Sequence, residues 1–270
     1  MKKYKGIIAW GVAAAALIAL RLYQLIALTD YGTGFIKIGS RTVYTVTSVI
    51  AVAIIATASV FITAGIKGPK EHKGFYLVTS LSALAFGAAA AADVLVNKYV
   101  NAPQYVKGAC IFFGILTALF YALFAFRSAI HFPLSPKLAI IPVLFFVVKS
   151  VTVFVQGSYH VVISDTVVEV GFYSFIMLFL LEYARAVNGL AGKASVKKIA
   201  AFGVCASLFS ALSAAKLIIA IFYPTALHDT AEGNVLPFFC GLYVVSVLFT
   251  QMKFVSQDDR VMGVYYSGKH

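Results

Sequence analysis

Three basic residues, Arg21, Lys149 and Lys216, interrupt long apolar stretches, and two carboxylates, Asp93 and Glu169, stand near the ends of two others. A charge carried into hydrocarbon costs about 2.5 kcal/mol or more, so it persists where it faces a paired or wet protein interior. Gathered together, three cations and two anions leave one positive charge over, which suits a small anion or zwitterion such as a carboxylate. Asp93 and Glu169 would then pair with the cations or carry a coupling proton. Polar residues at helical spacing extend the set. Gln24 follows Arg21 by three residues and Tyr173 follows Glu169 by four, so each pair shares a helix face. The candidate solute-binding residues are therefore Arg21, Gln24, Asp93, Lys149, Glu169, Tyr173 and Lys216.

Other chemistries find little support. Phosphate-binding glycine loops, H-E-x-x-H helices, G-x-S-x-G elbows and C-x-x-C pairs are absent. His160, Asp165 and Glu169 offer metal-type ligands, and Ser213 with Lys216 a Ser–Lys pair, but neither set comes with the rest of a site. No catalytic residue, metal ligand or cofactor is expected. A lysine in a seventh span, here Lys216, resembles the retinal-binding lysine of rhodopsins. That resemblance is confined to one position, because eight spans, an inner N-terminus and a lone Trp10 leave no aromatic retinal box.

The elements that must position these side chains are set by composition. With 61% hydrophobic and 12% charged residues, the chain lies far from soluble proteins, where about a quarter of residues are charged. About 20 apolar residues cross a hydrocarbon core of about 30 Å. That ruler finds eight spans, approximately 7–28, 43–66, 74–96, 106–126, 138–155, 166–186, 199–223 and 235–254. They make one all-α integral membrane domain over residues 1–270, with breakers such as Gly68-Pro69 and Asn188-Gly189 between spans.

Basic residues orient it. Only Lys37, Arg41, Lys98 and Lys107 fall in alternate loops, whereas fifteen of the 22 fall in the N-terminus, the other loops and the tail. Cytoplasmic loops hold the Lys and Arg excess, so both termini are expected inside the cell membrane. The net charge of +12 is thereby explained by orientation rather than by nucleic acid. Counting along the helices puts Arg21, Lys149 and Lys216 roughly 21, 17 and 25 Å from the inner boundary, all on the outer side.

Blander readings stand beside these. Lys216 can snorkel to headgroups, Asp93 and Glu169 can be interfacial, and Ser or Thr stripes can be helix-packing contacts. Two such stripes are Thr79, Ser82 and Asp93, and Thr45, Ser48, Ser59 and Thr63. Ala88 to Ala92 with Gly87 make a thin helix suited to close packing. Glu182 and Arg185 read as an exposed ion pair, and Cys110, Cys205 and Cys240 as buried thiols. The function expected is binding or transport of a small anionic or zwitterionic solute in an outward-facing cationic cavity. The alternatives are a membrane sensor or assembly subunit, and a metal-dependent lipid-modifying enzyme built on Asp165, Glu169, Asp229 and Glu232.

Overall fold

Apolar residues leave the backbone no solvent partner in lipid, so each segment satisfies its own hydrogen bonds as a helix. The computed structural model describes residues 3–29, 36–69, 76–96, 103–130, 136–157, 163–187, 193–222 and 235–254. Over these residues run eight α-helices: α1 (Lys3–Tyr23), α2 (Arg41–Ala64), α3 (Tyr76–Val96), α4 (Gln104–Ile130), α5 (Ile140–Gly157), α6 (Ile163–Val187), α7 (Lys193–Phe222) and α8 (Val235–Gln251). Two short strands, β1 (Ile66–Pro69) and β2 (Met252–Phe254), pair antiparallel.

Six segments are helical, long and apolar enough to cross a membrane: Lys5–Leu28, Arg41–Ala64, Leu77–Leu95, Gln104–Phe126, Lys137–Phe154 and Ser195–Ile219. The two remaining helices meet that standard less well. α8 is apolar but has 17 residues, about 25 Å of rise. α6 carries Glu169, Glu182 and Arg185.

Two of the expected spans do not end as plain α-helix. The first leaves α-helical geometry at Gln24 and finishes as a π-helical turn, Gln24–Leu28. There the Thr29 hydroxyl donates to the Gln24 carbonyl at 3.0 Å. The last stops at Gln251, because Met252–Phe254 bonds to β1 instead of continuing the helix.

Packing is asymmetric. α3 lies against α4, α4 against α5, and so on through α8, which returns to pack on α3. Six consecutive helices thus close a ring. α1 and α2 pack on one another and against α7, outside it. Five ring helices send buried aromatics inward: Phe86 from α3, Tyr121 from α4, Phe146 from α5, Tyr173 from α6 and Tyr243 from α8. Phe86 lies 4.3 Å from Tyr121, 5.7 Å from Tyr243 and 6.0 Å from Phe146, centroid to centroid. Phe146 is 5.9 Å from Tyr173. Offset and edge-on contacts of this kind add about 0.5–1.5 kcal/mol each beyond their area.

Small residues let the ring close. At Gly87, a Cβ would meet the Ala118 carbonyl oxygen at 3.1 Å, so the Ala-rich α3 lies nearly backbone to backbone with α4. Gly241 on α8 admits Ser210 of α7, whose hydroxyl donates to the Pro237 carbonyl at 2.8 Å. The sheet joins the α2–α3 connection to the end of α8, with Gly68 opposite Lys253. Those two stretches therefore share one end of the bundle, as the alternation of loop charge requires.

Candidate functional site

Arg21 sits in the last turn of α1, and its guanidinium turns toward α2. Nη1 donates to Gln24 Oε1 at 2.8 Å and to the Tyr44 hydroxyl at 2.7 Å. Gln24 completes the network, donating from Nε2 to Thr47 Oγ1 at 2.9 Å and to Ser48 Oγ at 3.2 Å. Arg21 and Gln24 are buried at 3% and 4% exposure, so the network lies within protein rather than in lipid. The expected Arg21–Gln24 partnership is present, and the structure adds Tyr44 and Thr47.

The second constellation lies within the ring. Lys149 Nζ is 2.6 Å from Asp93 Oδ2 and 2.9 Å from Oδ1, joining α5 to α3. Both residues are buried. Thr152, one turn beyond Lys149, holds Cys110 of α4 at 3.2 Å, sulfur to oxygen. Close packing sets this geometry: a Cβ at Gly114 of α4 would strike Val94 next to Asp93 and lie 3.2 Å from Phe145. Asp93 is thus buried rather than exposed, and the Lys149 ammonium turns to it inside the protein.

The other three candidates fall on neighbouring helices. Tyr173 is fully buried against Phe146 and Phe172. Glu169, one turn earlier on α6, is half-buried. Lys216 is buried on α7 at 6% exposure, inside the bundle rather than along its lipid face. α6 and α7 pack side by side, with Gly171 against the Phe209 ring. Gln156, His160, Asp165, Asp229 and Glu232 lie outside the residues whose side chains are described.

Several other expectations change. Thr45 is exposed and bonds the Arg41 carbonyl, so the polar face of α2 runs through Tyr44 and Thr47 instead. A hydroxyl one or two residues away on a helix points elsewhere, and the tyrosine hydroxyl was the missed partner. Glu182 is buried, not exposed: Arg185 donates to one oxygen and Ser195 of α7 to the other. The three cysteines are free thiols, and Cys205 contacts Ser59 at 3.1 Å.

Chemically, a buried lysine clamped by a carboxylate is a charge pair that opens when the carboxylate gains a proton. Among the described residues no three His, Cys, Asp or Glu side chains gather as a metal site. No known protein family, curated protein or solved structure matches this chain.

Proposed function

We propose that the chain is a single-domain protein of the cell membrane, crossing it eight times with both termini inside, which binds and transports a small anionic or zwitterionic solute. The solute is attracted by Arg21, Gln24, Lys149 and Lys216, with Asp93 and Glu169 balancing the charge and Tyr173 supporting the site; Arg21 and Gln24 act from α1 and its π-helical end outside the ring, the others from the ring helices. One observation carries the reading. Arg21, Lys149 and Lys216 are all buried inside protein, at 3%, 4% and 6% exposure. Cations kept at that cost are those with something to hold.

The test is equilibrium binding to the purified full chain in lipid nanodiscs, with succinate, glutamate and glycine as probes. Saturable binding that disappears in Arg21→Gln, in a protein that still elutes as one species, supports the proposal. An isotherm unchanged in Arg21→Gln and in Lys149→Gln overturns it.

A second reading, a sensor or assembly subunit, is favoured by the mutual neutralisation of Lys149 and Asp93. On that reading the charges only fix helix register, as buried polar pairs do in some proteins. A stable co-purifying partner, with no thermal shift from any of the three probes, would favour it. The lipid-modifying enzyme has no such support, since the side chains of three of its four carboxylates are not among those described.

A further inference from the structure

Polar groups continue along the inside of the ring from the Lys149–Asp93 pair to the opposite end of the bundle. On α3, Thr79, Ser82, Phe86 and Asp93 follow at intervals of three, four and seven, which is one helix face. On α8, Tyr243, Ser246 and Thr250 do the same, as do Cys110, Thr117 and Tyr121 on α4. The stripes meet. Thr79 Oγ1 is 3.1 Å from Thr250 Oγ1, and Ser82 Oγ is 2.6 Å from Ser246 Oγ. Above them Phe86 touches Tyr121 and Tyr243, whose rings stand edge to face at 5.1 Å. At 1.5 Å per residue, Asp93 stands roughly 10 Å beyond Phe86, and Ser82 and Thr79 roughly 6 and 10 Å on its other side.

Thr117 marks the stretch between the tyrosines and the ion pair. It is completely buried, one turn from Tyr121 toward Cys110, and its hydroxyl has no hydrogen-bond partner among the described residues. Buried hydroxyls are bonded in the great majority of cases, so an orphan among other polar groups is a seat for a small hydrogen-bonding species such as water. Hydroxyls both donate and accept, so a row of them bridged by water is suited to handing on a proton.

We propose that the interior faces of α3, α4 and α8 form a proton path from the Asp93–Lys149 pair to the inner end of the bundle, coupling solute uptake to proton entry. The inference rests on the solute-binding reading of Lys149 and names its coupling ion. A proton from outer water binds the Asp93 carboxylate and breaks its charge-assisted bond to Lys149. The freed ammonium, flanked by Cys110 and Thr152, takes the solute's negative charge. Asp93 then passes its proton to water at Thr117. Each hydroxyl along the column accepts a proton on oxygen and releases its own, and one proton leaves at Thr79 and Thr250. With its charge restored, Asp93 reclaims Lys149 and displaces the solute.

The experiment uses the full chain in liposomes that trap a pH-sensitive dye, with an inside-negative potassium–valinomycin potential and with or without external glutamate. Wild type acidifies the lumen faster than protein-free liposomes in at least one condition. Thr117→Val, which keeps the side chain's shape, and Ser246→Ala each slow it by about tenfold, the worth of one hydrogen bond, with unchanged melting. Asp93→Asn abolishes it. Wild type no faster than protein-free liposomes in both conditions overturns the path, as do Thr117→Val and Ser246→Ala running at the wild-type rate. Glutamate binding without proton flux overturns the path alone. Hydroxyl-dependent flux without binding of any probe retains the path and overturns the solute reading.

Discussion

Lys149 Nζ closes on both oxygens of Asp93, at 2.6 and 2.9 Å, and so ties α5 to α3. Removing one partner strands the other's charge inside the ring. Lys149→Met or Asp93→Asn alone should lower stability by about 3–5 kcal/mol, whereas Lys149→Met with Asp93→Leu should stay near wild type. Thermal unfolding of the four proteins in one detergent checks this. Additive losses in the double variant would mean the two side chains do not act as a pair.

Gln24 holds Arg21 on one side and two α2 hydroxyls on the other. Gln24→Leu keeps the volume and removes these bonds, while Thr47 and Ser48 keep their backbone acceptors and Arg21 keeps Tyr44. A loss of about 1–3 kcal/mol follows. Gln24→Glu should be milder, because it still accepts from Arg21. Chemical denaturation of the two variants side by side separates them.

Gly241 and Gly11 predict opposite outcomes from the same substitution. A methyl group at Gly241 would collide with Ser210, while at Gly11 it would meet nothing within 4 Å. Gly241→Ala should destabilise by about 1–3 kcal/mol through overpacking. Gly11→Ala should be neutral or gain up to about 1 kcal/mol in helix propensity. Equal melting temperatures for the two would contradict the tight α7–α8 seam.

Gly68 and Lys253 face each other across β1 and β2. Opposite residues in an antiparallel pair lie about 4.5–5.5 Å apart at Cα, within the reach of a disulfide. Gly68→Cys with Lys253→Cys in a background without native cysteines should cross-link under mild oxidation, seen as a shift in gel mobility. Gly39→Cys with Lys253→Cys should not. If the end with the sheet faces the cytoplasm, as proposed, membrane-impermeant thiol reagents applied to spheroplasts should label Gly39→Cys and leave Gly68→Cys unlabelled.

Hydropathy made the helices legible because each apolar run carries its own signal and needs no partner to be read. Eight runs became eight helices, six of which are, among the described residues, long and apolar enough to span a membrane. The charge pair was legible only as two residues at similar depth. That Asp93 meets Lys149, while Arg21 meets Tyr44, depends on which helices are neighbours, and hydropathy does not encode that order. Helical phase failed at Thr45 for a related reason: several polar residues crowd the start of α2, and only packing chooses which face turns inward. Thr117 left no mark in the sequence, since a threonine in an apolar helix ordinarily bonds its own backbone.

The ring's seam lies between α3 and α8, the earliest and latest of its helices in the chain, and the small sheet fastens that same seam. A ribosome therefore delivers five ring helices before the one that completes the circle. Until then Thr79 and Ser82 lack the neighbours that bury them in the finished protein. Chains halted before residue 235 would leave the polar stripe of α3 without its α8 contacts. Final pairing of Met252–Phe254 with Ile66–Pro69 would then distinguish a finished chain from an unfinished one.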